Sequence, residues 1–135
     1  METVKVVCGI IFNDNKVFIC RRMPKKSLGG YWEFPGGKIE QGESNEASLT
    51  RELIEELGMS LEVKDYFKTN LHDYGKFIIE LIAYKCNFID ANFRLTDHDK
   101  YEWVNVKDLS NWNLAPADIP IAKELIIDDK KKHYS

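Results

Sequence analysis

The chain has 135 residues, 44% of them hydrophobic, which is enough for one domain with a proper core and excludes a disordered polymer. Its formal net charge of −3 provides no basic footprint for duplex nucleic acid. No apolar run approaches membrane-spanning length and the N-terminus enters a strand pattern almost at once, so neither membrane insertion nor export is indicated.

Residues 4–12 and 17–22 are two apolar runs around Asn13-Asp14-Asn15, a turn-rich tripeptide, and they predict a β-hairpin. Both runs are apolar on both faces, as is 77–88 apart from Glu80 and Lys85, which implies a sheet covered on both sides. Cys8, Cys20 and Cys86 lie in these runs, are odd in number and lack C-x-x-C spacing. They read as buried reduced thiols rather than disulfides or zinc ligands, and they suggest the cytoplasm.

Phe34-Pro35-Gly36-Gly37-Lys38 predicts a tight glycine turn that lets backbone come close to a ligand. From Ser44 to Leu57 the apolar residues Ala47, Leu49, Leu53, Ile54 and Leu57 recur at helical spacing, and Gly58 supplies an αL stop. A second helix over 120–132 allows the two helices to cover opposite faces of the sheet, giving an α/β/α sandwich. Lys130-Lys131-Lys132-His133 reads as a frayed, solvated helix end.

The first helix carries an unusual charge arrangement. Glu52, Glu55 and Glu56 stand at i, i+3 and i+4, where like charges cost roughly 0.2–0.5 kcal/mol per pair. Glu55 and Glu56 also occupy the last turn, where the helix dipole disfavours anions by roughly 0.3–1 kcal/mol each. A cation is expected there. Arg51 is displaced around the helix and can at best hold a neighbouring carboxylate in place. Oxygen ligands in this number suit Mg²⁺, with Mn²⁺ as a substitute. Glu40 and Glu46 fall outside the cluster and read as solvated surface.

Gly37, Glu43 and Arg51-Glu52-Leu53-Ile54-Glu55-Glu56-Leu57-Gly58-Met59 stand at every defined position of the Nudix box, the signature of enzymes that hydrolyse nucleoside diphosphates linked to another moiety. With Trp32-Glu33-Phe34-Pro35-Gly36-Gly37-Lys38, the chain resembles the MutT-like branch from its first strand to its C-terminal helix. The resemblance implies one Nudix domain over residues 1–135 with a mixed central sheet. It also implies a metal site from Glu55 and Glu56, joined by the Gly36 carbonyl and by Glu52, with Glu52 oriented by Arg51. Glu102, in the run 98–104 and just before a short strand, matches a glutamate that serves as metal ligand or base. Glu52 and Glu102 are both candidate general bases. Glu43 reads equally as a catalytic residue and as a partner for Arg51. Lys38 can contact phosphate. His72 and His98 read as surface or locally hydrogen-bonded residues outside the metal site.

Around the nucleobase the resemblance places Arg22, Phe34 and Asp118. Asp118 is also a natural N-cap for the helix entered at Pro120. Many members specific for oxidised guanine have asparagine there, whereas the 114–120 run resembles members acting on CTP or modified cytidine nucleotides. An ionised Asp118 only accepts hydrogen bonds, which favours guanine, 8-oxoguanine or cytosine and predicts that uracil and thymine nucleotides are poor substrates. The expected activity is Mg²⁺-dependent hydrolysis of a nucleoside triphosphate to the monophosphate and pyrophosphate, serving to remove damaged nucleotides. The expected partner is that nucleotide, with no obligate protein partner. The alternatives are a nucleotide sugar, ADP-ribose or dinucleoside polyphosphate substrate, or a non-catalytic nucleotide sensor, which is disfavoured because such modules commonly lose box glutamates and Glu52, Glu55 and Glu56 are all present.

Overall fold

The computed structural model describes residues 2–134. β1 (Glu2–Asn13) and β2 (Lys16–Arg22) form the expected hairpin. Asp14 and Asn15 both take left-handed backbone, at φ 51° and 64°. Paired positive φ values match a two-residue turn to the twist of its strands, and Asp and Asn tolerate them best among residues with a side chain.

β1 lies at the centre of a mixed sheet. One edge pairs in parallel with β6 (Phe77–Ala91), from Glu2 opposite Phe77 to Phe12 opposite Asn87. Its other edge pairs antiparallel with β2 and with β4 (Gly36–Lys38). β2 carries β3 (Trp32–Glu33) and, on its far side, β7 (His98–Asn105). β5 (Met59–Asp73) runs antiparallel to β6.

Alternation along the strands sends two sets of side chains to opposite faces. Val7, Ile11, Phe18 and Cys20 pack beneath Leu49, Leu53 and Leu57 of α1 (Asn45–Leu57). Cys8, Ile10, Val17, Ile19 and Val104 pack beneath Ile121, Ala122 and Leu125 of α2 (Ile119–Tyr134). The three α1 leucines are fully buried, each contributing roughly 1.5–3 kcal/mol, so core packing clamps this helix to the sheet. Its ends follow the sequence: the Ser44 hydroxyl accepts the Ala47 N–H at 3.1 Å, and Gly58 caps the helix at φ 67°. α2 continues through Lys130, Lys131 and Lys132 to Tyr134, where fraying is expected; the side chain of His133 lies outside the described residues.

The glycine segment differs from expectation. Gly36 and Gly37 are extended strand rather than a tight turn, and neither has positive φ. What demands glycine is close approach: a Cβ on Gly36 would collide with the Val7 carbonyl, and one on Gly37 with the Glu52 carboxylate. Backbone cannot yield as a flexible side chain can, so Gly36→Ala is expected to cost about 3 kcal/mol. Urea unfolding should show a lower midpoint at an unchanged slope.

Candidate catalytic and metal site

Beside α1 and β4 lies a cavity of about 990 Å³, within the range of small-molecule sites. One group of its lining residues is Glu52, Glu56 and Asp97, with Gly36, Gly37 and Lys38. A second is Arg22, Glu33, Phe34 and Asp118. The helix dictates which glutamates face inward: Glu52 and Glu56, at i and i+4, share its cavity side, while Glu55 is turned away with 59% of its side chain exposed.

Burial, followed by the carboxyl groups of Glu52 and Asp97, pushes the Glu56 pKa up to about 9. The protonated form of Glu56, hydrogen-bonded to its neighbours, is therefore favoured at neutral pH. Burial also opposes ionisation of Asp97. Lys26, whose ammonium lies 3.1 Å away, and a hydrogen bond from Glu56 overcome that effect and hold Asp97 below the usual range. A glutamate pushed toward its neutral form by burial and by two neighbouring carboxyl groups marks a place where a divalent cation would relieve the repulsion, and all-oxygen donors match a hard ion.

Arg51 organises the rim. Its Nε and an Nη meet both oxygens of Glu43 at 2.8 and 2.9 Å, and its other Nη lies 3.1 Å from Glu52 and from Glu55. The bidentate Arg51 contact is the main cause holding Glu43 below the usual carboxylate range. Glu43 thus anchors Arg51, and Arg51 fixes Glu52 against the cavity. Lys38 is exposed at the mouth.

The structure does not bring Glu102 to this cluster. Instead of preceding a short strand, Glu102 lies inside β7, exposed and opposite Ile19. Ile19 belongs to the face covered by α2, whereas the box glutamates project from α1 on the other face. β7 starts five residues earlier than the sequence suggests, and the carboxylate that reaches the cavity is Asp97, directly before it. Asp97 follows an irregular stretch with no periodicity. The available signal was an acidic residue immediately before a strand.

At the second group, Arg22 donates to the Ser27 carbonyl at 2.9 Å and lies 3.5 Å from Glu33. Asp118 occupies the N-cap position of α2, where its backbone carbonyl accepts the Ala122 N–H at 3.0 Å. Its carboxyl does not cap the helix. It turns to accept the Phe34 N–H at 2.9 Å, in the cavity wall. Burial and then the charge of Glu33 raise its pKa well above the carboxylate range, outweighing that hydrogen bond. The raised pKa favours the neutral form of Asp118, which donates as well as accepts, so the expected rejection of uracil and thymine, which assumed an ionised group, no longer follows from this residue alone. His98 is fully buried, not at the surface, and its Nε2 lies 2.9 Å from Glu33.

Comparison with known proteins agrees with this geometry. The NUDIX domain family matches residues 6–124. The chain is 34% identical over 121 residues to the CTP pyrophosphohydrolase of Escherichia coli, covering 90% of each chain. It is 30% identical over 125 residues to the 8-oxo-dGTP diphosphatase of Buchnera aphidicola, covering 93% of this chain and 95% of the relative. Among solved structures, the MutT protein of methicillin-resistant Staphylococcus aureus superposes with a TM-score of 0.75 at 40% identity, over 95% of this chain and 99% of the other. With the box glutamates on a helix beside a mixed sheet and a match spanning most of its length, the chain belongs to the Nudix family and is a Nudix hydrolase.

Proposed function

We propose that this chain is a Mg²⁺-dependent nucleoside triphosphate pyrophosphohydrolase acting on 8-oxo-dGTP or on CTP and modified cytidine triphosphates. The observation that carries this reading is one cavity holding both a carboxylate cluster, Glu52, Glu56 and Asp97, and a hydrogen-bonding wall with an aromatic ring, Arg22, Phe34 and Asp118. The similarity to a CTP pyrophosphohydrolase and to an 8-oxo-dGTP diphosphatase supports it.

Glu52, Glu56, Asp97 and the Gly36 backbone would hold the cation, which when bound neutralises phosphate charge and lowers the barrier to attack by water. Glu52, fixed by Arg51, accepts the proton of the attacking water. The new P–O bond forms as the bridging bond to the leaving pyrophosphate breaks, giving a nucleoside monophosphate and pyrophosphate. Lys38 at the mouth meets the departing phosphates. Phe34 and Asp118 orient the base, and Arg22 holds Glu33 beside it. Three free cysteines, all buried, support a reducing compartment such as the cytoplasm.

Asp118 gives a specific expectation. An amide reproduces a neutral acid's donor and acceptor, so Asp118→Asn should keep kcat/KM within a few-fold. Asp118→Leu should lower it about 10- to 100-fold, by loss of hydrogen bonds to the base. Steady-state kinetics on the best substrate of a panel checks this. The panel itself tests the function: ordinary and oxidised nucleoside triphosphates, a nucleotide sugar, ADP-ribose and a dinucleoside polyphosphate, with every product identified. Preferred cleavage of 8-oxo-dGTP or CTP to monophosphate and pyrophosphate is the expected outcome. Preferred cleavage of one of the last three substrates would replace this reading.

A further inference from the structure

Cys20, Glu33 and His98 come from three adjacent strands, and no role assigned above uses Cys20 or His98. Glu33 lies opposite Cys20 across β2 and β3. His98 reaches the same face through a β-bulge: the register of β2 and β7 shifts between Arg21 and Arg22, so that His98 pairs with Arg22, two residues from Cys20. Without that extra residue, alternation along β7 would turn His98 toward α2. The bulge therefore aims the imidazole at the thiol and the carboxylate.

One donor atom from each residue lies within 4.8 Å of the other two. Cys20 and His98 are fully buried, and the Glu33 side chain is 15% exposed where it lines the cavity. His98 Nε2 has Glu33 as its partner at 2.9 Å, while the buried Nδ1 has no hydrogen-bond partner among the described residues. The thiol has only a long contact to the Glu33 carbonyl, at 3.7 Å. A buried imidazole nitrogen with no partner is costly in a site that serves packing alone. Sulfur, nitrogen and oxygen donors on three rigid strands are, by contrast, what a tetrahedral transition-metal site uses.

We propose that Cys20, Glu33 and His98 form a second metal site in the floor of the cavity, for Zn²⁺ or another divalent transition metal that binds thiolate. Zinc's bond lengths place tetrahedral donors roughly 3.3–3.7 Å apart, so closure needs a contraction of at most about 1 Å, with the unpartnered His98 Nδ1 as the nitrogen donor, or Nε2 once the Glu33 carboxylate rotates off it. Binding releases the Cys20 thiol proton to solvent, and Glu33 is the donor that joins the site to the cavity. Donor chemistry separates the two sites: the all-oxygen cluster of Glu52, Glu56 and Asp97 suits Mg²⁺, whereas a thiolate selects a softer ion. The sequence conceals the set because Glu33 stands 13 residues from Cys20 and 65 from His98, with no motif spacing.

Co²⁺ is the probe, added to the protein in excess Mg²⁺. One equivalent should bind and produce the visible bands of tetrahedral Co²⁺ together with a thiolate-to-cobalt charge-transfer band, all bleached by Zn²⁺. Cys20→Ser should abolish the charge-transfer band, Glu33→Gln and His98→Gln should weaken Co²⁺ binding at least tenfold, and Cys86→Ser, on β6, should change neither. The band reports sulfur ligation whether or not the carboxylate cluster holds Mg²⁺, so it stands apart from the proposed hydrolysis. Circular dichroism checks that each variant folds, and Glu33→Gln, at a partly exposed side chain, keeps the test valid if the buried variants do not. No charge-transfer band, a band that survives Cys20→Ser, or unchanged Co²⁺ affinity in Glu33→Gln would each overturn the proposal.

Discussion

Replacing Glu56 with glutamine is expected to lower kcat on the order of 10³-fold and, at the same time, to stabilise the metal-free protein at pH 8. Both effects come from one placement. α1 is held to the sheet by Leu49, Leu53 and Leu57, so Glu56 cannot swing away from Glu52 and Asp97. Its pKa of about 9 lies far above that of an unfolded glutamate, about 4.3. Between those values the folded protein binds more protons than the unfolded chain, so Glu56 reduces stability as pH rises through the window. An uncharged amide removes that penalty. The gain should be on the order of 2 kcal/mol, well below the full linkage value because the cavity admits solvent. Thermal unfolding in a chelator at pH 5 and pH 8 measures it: wild type should lose stability relative to Glu56→Gln as pH rises, and Mg²⁺ should restore more of it to wild type. A stability difference between wild type and variant that is the same at pH 5 and pH 8, or a variant less stable than wild type at pH 8, would mean that Glu56 is not crowded by carboxylates.

Asp97→Asn is expected to lower kcat/KM at least 10²-fold, while Glu102→Gln stays within about twofold. The neutral amide keeps the shape of Asp97 but removes a charge that Lys26 and Glu56 stabilise inside the cavity. Electrostatic groups aimed at a reacting centre commonly contribute 10²–10³ in rate. Glu102 stands exposed opposite Ile19, on the face covered by α2, where a lost charge touches neither cation nor phosphate. Parallel kinetics at saturating Mg²⁺ decide between the two residues. Lys26→Ala is a useful companion, because removing the partner of Asp97 should weaken metal binding without removing a ligand.

The difference between these two acids shows which parts of the site the sequence makes legible. α1 is readable in full, because its cap at Ser44, its stop at Gly58, its leucine spacing and its glutamates are all set by local periodicity. The hairpin of β1 and β2 is equally local. β5 is harder to read: bulges between Val63 and Tyr66 and between Tyr66 and Lys68 interrupt the two-residue alternation that marks a strand. Asp97 and His98 depend on where β7 begins and on a further bulge, which are consequences of pairing with β2. The raised pKa of Asp118 is further still from the sequence, since it arises from burial and from Glu33, 85 positions earlier in the chain by their residue numbers. Chemistry carried on one helix is visible in the residue order, whereas chemistry assembled between strands requires the fold.

The cation site is tested most directly by titrating Mn²⁺ and following the free ion by electron paramagnetic resonance in wild type, Glu56→Gln, Asp97→Asn and Glu102→Gln, each confirmed to be folded. Wild type and Glu102→Gln should bind Mn²⁺ alike, and Glu56→Gln and Asp97→Asn should each weaken it at least tenfold. Full affinity in Asp97→Asn together with a loss in Glu102→Gln would contradict the assignment and move the site to the other face of the sheet.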